Sequence, residues 1–293
     1  MTNITLKQLR YFEAVAHHRH FGHAAEACAI SQPALSVQIK ELEQNLQTPL
    51  FDRGGRNITL TSFGVDFAPR ARAILQGVDE LQDMARASKD GLMGRLRIGI
   101  IPTIGPYLLP SIITKLTQMN PALDIHVRET MTPRLITELT EGRIDTAIVA
   151  LPVSEPSLTE VTLFDEKFML VRPEADRDKP IPSSAHLNEM KLLLLEEGHC
   201  FRDQALSFCD MQSETAREGL DASSLSTLVQ MVGAGIGVTL IPEMAVAVET
   251  RSAQVAVNAF PVPEPTRRVG MIWRKTSPLA SKLSEIADLI RPT

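Results

Sequence analysis

Hydrophobic positions near the start of the chain follow the spacing of helices. Apolar side chains recur every three or four residues between residues 5 and 17, which predicts an amphipathic helix. Residues 21–23 are expected to end it, and a short second helix is predicted over residues 24–30. Ser31 is a good N-cap and Pro33 suits a first helical turn, so a third helix should follow. Its inward face is predicted to carry Leu35, Ile39, Leu42 and Leu46.

The outward face of this third helix is polar, as in a helix that reads DNA. A polar-faced helix behind a tight turn can place its first residues against base edges in the major groove. Gly54 and Gly55 then predict a turn between two short strands, with Arg53 and Arg56 at the tip of a wing that would meet phosphate. The same pattern also fits an ordinary three-helix bundle.

From Phe67 onward, apolar residues are spaced alternately four and three positions apart, which is the spacing of a heptad seam. A polar stretch over residues 88–91 follows it and resembles a linker. We predict a dimerisation helix over residues 63–90, although a helix packed on its own domain would show a similar pattern. The predicted seam consists of Phe67, Ala71, Ile74, Val78 and Leu81.

Strand-like and helix-like patterns alternate through the remaining two-thirds of the chain. Apolar strands are predicted from residues 95–101 onward, among them a short strand over residues 168–171, and they alternate with amphipathic helices. This alternation implies βαβ units and a mainly parallel sheet. Two α/β lobes joined by crossovers near Leu151 and Arg267 fit this order. The segment from Gly233 to Gly237 follows a helix and precedes a strand, the reverse of a phosphate-binding loop, so it predicts a tight turn.

Length and composition narrow the class of protein. A chain of 293 residues predicts two or three domains, and no apolar run approaches the roughly 20 residues of a membrane span. The N-terminus lacks the pattern of a secretion signal, so a reducing, cytoplasmic location is expected, and three cysteines there do not form a structural framework. Residues 1–90 carry ten basic and ten acidic side chains, so charge alone does not indicate nucleic acid. No zinc spacing or catalytic triad is present, and we expect no metal and no cofactor.

The candidate chemistry lies at two cysteines. Cys200 follows the apolar run Lys191–Leu195 and opens a stretch of helical composition that ends at Cys209. His199 and Arg202 flank Cys200, and a thiol at a helix start beside basic groups is where a thiolate is favoured. We therefore expect the pKa of Cys200 to lie below the ~8.5 of a free thiol.

The spacing of these two cysteines limits how they could pair. An intact helix would separate residues nine apart by about 13 Å, whereas a disulfide needs Cα atoms within about 7 Å. A bond between Cys200 and Cys209 would require the helix to unwind, so the two redox states would differ in local fold. The alternative is a pair of unrelated buried thiols.

The segments AAEACAISQPALSVQIKELE and PLFDR, with the following LT, resemble the winged helix-turn-helix of LysR-type transcriptional regulators. The resemblance implies an α/β protein with an all-α winged helix-turn-helix, a long linker helix that dimerises, and a two-lobed regulatory domain similar to periplasmic binding proteins. The expected boundaries are 1–62, 63–90 and 91–293, with lobe I at 91–164 and 268–293 and lobe II at 165–267. The expected DNA contacts are Ser31, Gln32, Pro33, Ser36, Gln38, Lys40, Arg53 and Arg56.

Within that family, GHCFRDQALSFC and IPTIGPYLLP resemble the corresponding segments of the peroxide-sensing activators. This resemblance implies that Cys200 reacts with hydrogen peroxide and that Cys209 resolves it into a reversible disulfide. Arg267 or Arg202 is expected to steady the thiolate or the loop. The implied peroxide pocket consists of Thr103, Thr132, His199, Arg202, Asp203 and Arg267.

The resulting hypothesis is a peroxide-sensing transcriptional activator rather than an enzyme. Its expected partners are a dyad-symmetric duplex DNA operator, hydrogen peroxide, three further copies in a dimer of dimers, RNA polymerase and a cellular dithiol reductant. One alternative is a LysR-type regulator that binds a small organic effector between its lobes, for which both cysteines would be dispensable. The other is a thiol peroxidase, which would turn over peroxide independently of DNA.

Overall fold

The structure is a computed structural model that describes residues 4–52, 58–87, 94–187, 190–209 and 221–291. The chain divides into two units, Met1–Asp83 and Met84–Thr293, and each is described by itself.

The N-terminal unit is built on three helices. These are α1 (Leu6–His18), α2 (Phe21–Ala27) and α3 (Gln32–Leu46). Ser31 caps α3 as expected, since its Oγ accepts from the Ala34 N–H at 3.4 Å. The expectation that residues 21–23 break the first helix at its end was wrong. Arg19 ends α1 in the left-handed conformation, and the His20 side chain then caps α2, which begins at Phe21.

A two-stranded wing follows α3. Strands β1 (Phe51–Asp52) and β2 (Thr59–Leu60) pair antiparallel, and Glu43 of α3 fixes the first strand by accepting from the Leu50 N–H at 2.9 Å. The predicted wing tip, with Arg53 and Arg56, lies outside the described residues.

The next helix, α4 (Ser62–Ala87), continues through Pro69 for 26 residues. Its apolar residues do not share one environment. Phe67 and Ala71 pack in the core of their own unit, and Ala71 is fully covered there, which corrects its place in the predicted dimer seam. Ile74 and Leu81 are 52% and 64% exposed, and Val78 is half-buried, so these three remain available to a partner.

The second unit contains a mixed sheet flanked by helices. Its strand order is β4-β3-β5-β11-β6-β9-β7-β8, with β10 on β6. The strands are β3 (Arg95–Ile100), β4 (Asp124–Glu129), β5 (Thr146–Leu151), β6 (Leu158–Pro173), β7 (Leu192–Leu195), β8 (Asp221–Ala222), β9 (Val238–Pro242), β10 (Val255–Ala259) and β11 (Thr266–Arg274). The helices are α5 (Gly105–Met119), α6 (Thr132–Thr140), α7 (Ser184–Leu187), α8 (Cys200–Phe208), α9 (Leu225–Gly233), α10 (Val246–Glu249) and α11 (Ala280–Ile290).

The expectation of a mainly parallel sheet was wrong because of two long strands. β6 and β11 pair antiparallel with each other, and each also pairs antiparallel with a neighbour on its other edge, β9 and β5 respectively. Parallel pairs occur only on either side of them within the described residues, at β3 with β4 and β5 and at β7 with β8 and β9.

Two hydrophobic cores take up different parts of β6, with Leu158 and Leu163 in one and Phe168 and Leu170 in the other. The first, which we call the lobe I core, is formed by residues between 96 and 163 together with residues 269–290, and the second, the lobe II core, by residues between 168 and 260. The turn predicted over residues 233–237 is confirmed, since α9 ends at Gly233 and β9 begins at Val238. Gly235 has φ +76°, and a Cβ on Gly237 would lie 2.2 Å from the Lys191 carbonyl oxygen.

Candidate functional site

A glycine turn brings Cys200 to the start of α8. Strand β7 ends at Leu195, and Gly198 then adopts φ +97° with its Cα packed so closely on Met131 that a Cβ would lie 2.7 Å from the sulfur. Only glycine tolerates both conditions without strain. The turn makes Cys200 the first residue of α8, where its half-buried side chain packs against the core of lobe I.

Burial dominates the ionisation of Cys200. Desolvation raises the pKa of this thiol above its ordinary value, and the nearby charge of Asp203 raises it further. The Arg267 guanidinium, the Thr132 hydroxyl and the Phe201 backbone N–H each lower the pKa, but together they do not offset burial. The expectation of a pKa below that of a free thiol was therefore wrong, because the helix start is covered by the opposite lobe.

Arg267 is the cation of the site. Its fully buried side chain extends from β11, and its Nε donates to Glu166 Oε2 of β6 at 2.7 Å. Nη1 donates to Thr103 Oγ1 at 2.8 Å and Nη2 to the Thr103 carbonyl oxygen at 2.9 Å. The guanidinium also lies 5.2 Å from the centroid of the Phe201 ring in α8. Arg267 thus connects both long strands to the loop before α5 and to the helix of Cys200.

Glu166 is a member of this network that the sequence pattern did not indicate. It is buried, and its second oxygen accepts from the Met244 N–H at 3.0 Å. Glu166 and Arg267 are paired by strand register although they are 101 residues apart. Sequence spacing carries no signal for such a pair, because it exists only once β6 and β11 are aligned.

Two threonine hydroxyls border the thiol region. Thr103 is buried and is held by Arg267. Thr132 is the first residue of α6, and its buried Oγ1 has no partner among the described residues that meets full hydrogen-bond geometry. It lies close enough to Cys200 to lower the pKa of the thiol. A buried hydroxyl without a satisfied partner beside a thiol is available to a small polar ligand.

The three charged or titratable neighbours of Cys200 along α8 differ in role. Burial lowers the pKa of His199, so its neutral form is favoured and it does not act as the cation predicted beside the thiol. Arg202 turns away, donating to the Leu195 carbonyl oxygen at 2.7 Å and to Asp221 Oδ1 at 2.9 Å. These two hydrogen bonds hold it within lobe II, and its place in the peroxide pocket stays a prediction. Asp203 is exposed, one turn along from Cys200.

Cys209 occupies the other end of the helix in a different environment. It caps α8, has no exposed surface and belongs to the core of lobe II. Burial raises its pKa to about 11. Its N–H donates to the Ala205 carbonyl oxygen at 3.1 Å, so the last turn is formed, and both cysteines are free thiols. A rise of about 1.5 Å per residue keeps them about 13 Å apart, too far for a disulfide.

A surface concavity of about 410 Å³ runs along the exposed side of α8. It lies between the helix and the two long strands, and all of its lining residues fall within the range expected for lobe II, so it is not a site between the lobes. Its lining residues are Phe168, Asp203, Gln204, Ser207, Phe208, Pro265 and Thr266.

The predicted DNA contacts can be placed only in part. Gln32, Pro33 and Lys40 are exposed on α3, as is the capping residue Ser31. Ser36 and Gln38 are half-buried, and the Gln38 amide donates to Glu41 Oε2 at 2.8 Å. Within the described residues there is no cluster of side chains suited to a metal ion, and no helix is long and apolar enough to cross a membrane.

Family models match both units of the chain. Residues 6–65 match the bacterial regulatory helix-turn-helix protein, lysR family, and residues 89–293 match the LysR substrate binding domain.

Individual relatives match nearly the whole chain. The DNA-binding transcriptional dual regulator OxyR of Escherichia coli is 40% identical over 292 residues, which cover 98% of this chain and 95% of that protein. A probable hydrogen peroxide-inducible genes activator of Streptomyces viridosporus is 42% identical over 292 residues, with coverage of 98% and 93%.

Solved structures of such proteins are also similar. A full-length cysteine-to-aspartate variant of Pseudomonas aeruginosa OxyR has a TM-score of 0.77 and 36% identity, with coverage of 98% of this chain and 95% of that one. A cysteine-to-serine mutant of Corynebacterium glutamicum OxyR, H2O2-bound, has a TM-score of 0.66 and 34% identity, with coverage of 99% and 92%.

Proposed function

This chain belongs to the LysR family of transcriptional regulators, as an OxyR-type member, and we propose that it is a DNA-binding regulator that senses hydrogen peroxide through Cys200 and Cys209. The observation that carries the proposal is α8, which holds one thiol beside a buried cation and a free hydroxyl and the other in an apolar core. This arrangement supports a reaction at the first thiol and a change of fold before the second can take part.

The first step of the proposed reaction takes place at Cys200. Its thiolate attacks one oxygen of hydrogen peroxide, so that an S–O bond forms, the O–O bond breaks and the leaving hydroxide takes up a proton to become water. Thr103 and Thr132 would hold the peroxide, and Arg267 would stabilise the negative charge on sulfur and on the leaving oxygen. Because burial raises the pKa of Cys200, this step draws on the small thiolate fraction that Arg267 and Thr132 support.

In the second step Cys209 resolves the sulfenic acid. Its sulfur attacks the sulfur of Cys200, an S–S bond forms, the S–O bond breaks and a second water leaves, so that one peroxide oxidises two thiols. The pKa of about 11 and full burial of Cys209 prevent this attack while α8 is intact. The helix must unwind and withdraw Cys209 from the lobe II core, and a cellular dithiol would later reverse the change.

The proposed output is a change in how the protein holds DNA. We assign residues 1–62 to DNA binding, 63–90 to dimerisation and 91–293 to regulation, with α3 in the major groove of a dyad-symmetric operator. Exposed Ile74 and Leu81 support pairing through α4. Repacking of lobe II around the disulfide would alter the spacing of the four DNA-binding units in a dimer of dimers. Such a regulator acts on RNA polymerase in the cytoplasm and turns over no substrate.

Thiol mapping combined with hydrogen exchange tests this proposal. One equivalent of peroxide should consume two thiols, and mass spectrometry should find a bridge between Cys200 and Cys209. Amide exchange over residues 201–209 should then accelerate, because the bridge is incompatible with the helix.

The alternatives give different results in the same experiment. A bridge that leaves exchange in α8 unchanged contradicts the unwinding step. If no bridge forms although the protein binds DNA, the function is that of a regulator with a small organic effector. Continuous peroxide turnover with a dithiol, unaffected by DNA, identifies a thiol peroxidase.

A further inference from the structure

Val37 lies on the solvent-facing side of α3. Its side chain is 54% exposed. Successive residues of a helix are rotated by about 100°, so Val37 lies about 200° from both Leu35 and Ile39. Those two are fully buried and define the direction of the core. Val37 therefore lies on the face of α3 opposite its buried residues, with more than half of its side chain exposed.

An apolar concavity begins at Val37 and runs toward α1. Ile30, Pro33 and Ala34 form its wall with Val37, and the buried Tyr11 also lines it. Lys7 also lines it, with its Nζ 5.8 Å from the centroid of the Tyr11 ring. The surface is thus an apolar patch with a cation beside it, next to the polar first turn of the helix proposed to enter the major groove.

The chemistry of duplex DNA offers one apolar group to such a patch. In the major groove the exposed base edges present hydrogen-bond donors and acceptors, and thymine alone adds a methyl group at C5. The lysine is suited to the neighbouring phosphate. We propose that Val37 contacts the 5-methyl group of a thymine in each half-site and thereby determines specificity at that position. This inference rests on the proposed function, since it assumes that α3 reads DNA.

Replacement of thymine by deoxyuridine tests the contact, because it removes the methyl group and preserves base pairing. The probe is a duplex selected by the wild-type protein from a randomised pool and then synthesised again with deoxyuridine at every thymine, followed by single replacements. Burial of one methyl group corresponds to about fourfold in affinity, so a dimer on two half-sites should lose about sixteenfold. Val37→Ala should bind both duplexes with nearly equal affinity, so the double-mutant cycle isolates the contact.

Val248→Ala is the matched control, since Val248 is 56% exposed but lies in the regulatory unit, and it should retain the wild-type preference for thymine. The inference is overturned, with DNA reading intact, if the wild type binds selected duplexes with and without the methyl groups equally, or if Val37→Ala keeps the wild-type ratio. If Val37→Ala instead changes the oligomeric state of the protein without DNA, measured by light scattering, the patch is a contact between protein chains. Failure to select any duplex overturns the proposed function and this inference together.

Discussion

The two ends of α8 place the same side chain in opposite surroundings. Cys200 packs on the lobe I core beside a guanidinium and a hydroxyl, and it keeps part of its surface open. Cys209 lies in the lobe II core with no exposed surface, and burial alone is the cause of its raised pKa. Burial raises the pKa of both thiols. Only at Cys200 do neighbouring groups that can stabilise a thiolate counteract this rise.

This difference explains how one helix can order two reactions. A thiol with a cation and a hydroxyl beside it can react first, whereas a thiol in an apolar core reacts only after its helix opens. The connection between the two events is α8 itself, whose buried Phe201, Ala205 and Leu206 stabilise the reduced arrangement. The asymmetry of the thiols therefore follows from which lobe each end of the helix contacts.

Exchange of each thiol for a hydroxyl gives the largest expected effect. Cys200→Ser should abolish peroxide-dependent DNA regulation, because serine cannot form a sulfenic acid. Cys209→Ser should still be oxidised at Cys200 but should stop at the sulfenic acid, which a dimedone adduct detects by mass spectrometry. Cys28→Ser, at a half-buried thiol of the N-terminal unit, serves as control and should respond like wild type. The two cysteines would not differ in reactivity if both variants lost the peroxide response equally and Cys209→Ser gave no dimedone adduct.

Removal of the Arg267 guanidinium is expected to have the second-largest effect, because it takes away the cation that favours a thiolate at Cys200 but not at Cys209. Arg267→Met leaves Glu166 buried without its partner, which should cost about 3–5 kcal/mol of unfolding free energy in urea. The pKa of Cys200 should also rise, measured from the pH dependence of iodoacetamide alkylation in the Cys28→Ser, Cys209→Ser background. The double variant Glu166→Gln, Arg267→Met should regain part of the stability but keep the higher pKa. If the pKa of Cys200 in that double variant equals the wild-type value, the Arg267 guanidinium has no direct effect on the thiol.

The burial of Cys209 should be visible as a pH dependence of stability. Its folded pKa of about 11 exceeds the ordinary value of 9.0, so the folded state favours the neutral thiol. Its contribution is fully present below pH 9 and is lost as the pH rises through 11, by about 3 kcal/mol in total. Urea unfolding of wild type and Cys209→Ala should therefore converge over this window. If the unfolding free energies of wild type and Cys209→Ala instead differ by the same amount at every pH, Cys209 is not buried as a neutral thiol.

Removal of the Thr132 hydroxyl is the smallest change. Thr132→Val should raise the pKa of Cys200 and slow its reaction with peroxide on the order of tenfold, since a hydrogen bond to a charged group contributes roughly 1.5 kcal/mol. Thr132→Ser keeps the hydroxyl and should react like wild type in stopped-flow measurements. If the valine variant reacts at the wild-type rate, the hydroxyl takes no part at the thiol.

Local pattern alone was sufficient for elements whose signal lies within a few turns of chain. Ser31 caps α3, the apolar spacing places Leu35, Ile39 and Leu42 in the core, and the run before Cys200 forms β7. The same pattern did not find β10 or the full length of β6, because residues 158–167 alternate weakly and are held by pairing with β11.

The sequence by itself determined the identity and spacing of the two thiols, the helix between them and the helix-turn-helix, since these depend on neighbours in the chain. Only the tertiary structure decided which charges reach Cys200. Arg202, two residues away, lies on the opposite side of α8 and braces lobe II, whereas Arg267 arrives from β11 and is held there by Glu166. Burial by the opposite lobe also reversed the expected direction of the thiol pKa. Desolvation and long-range ion pairs depend on which surfaces meet in three dimensions, and the order of residues in one segment does not contain that information.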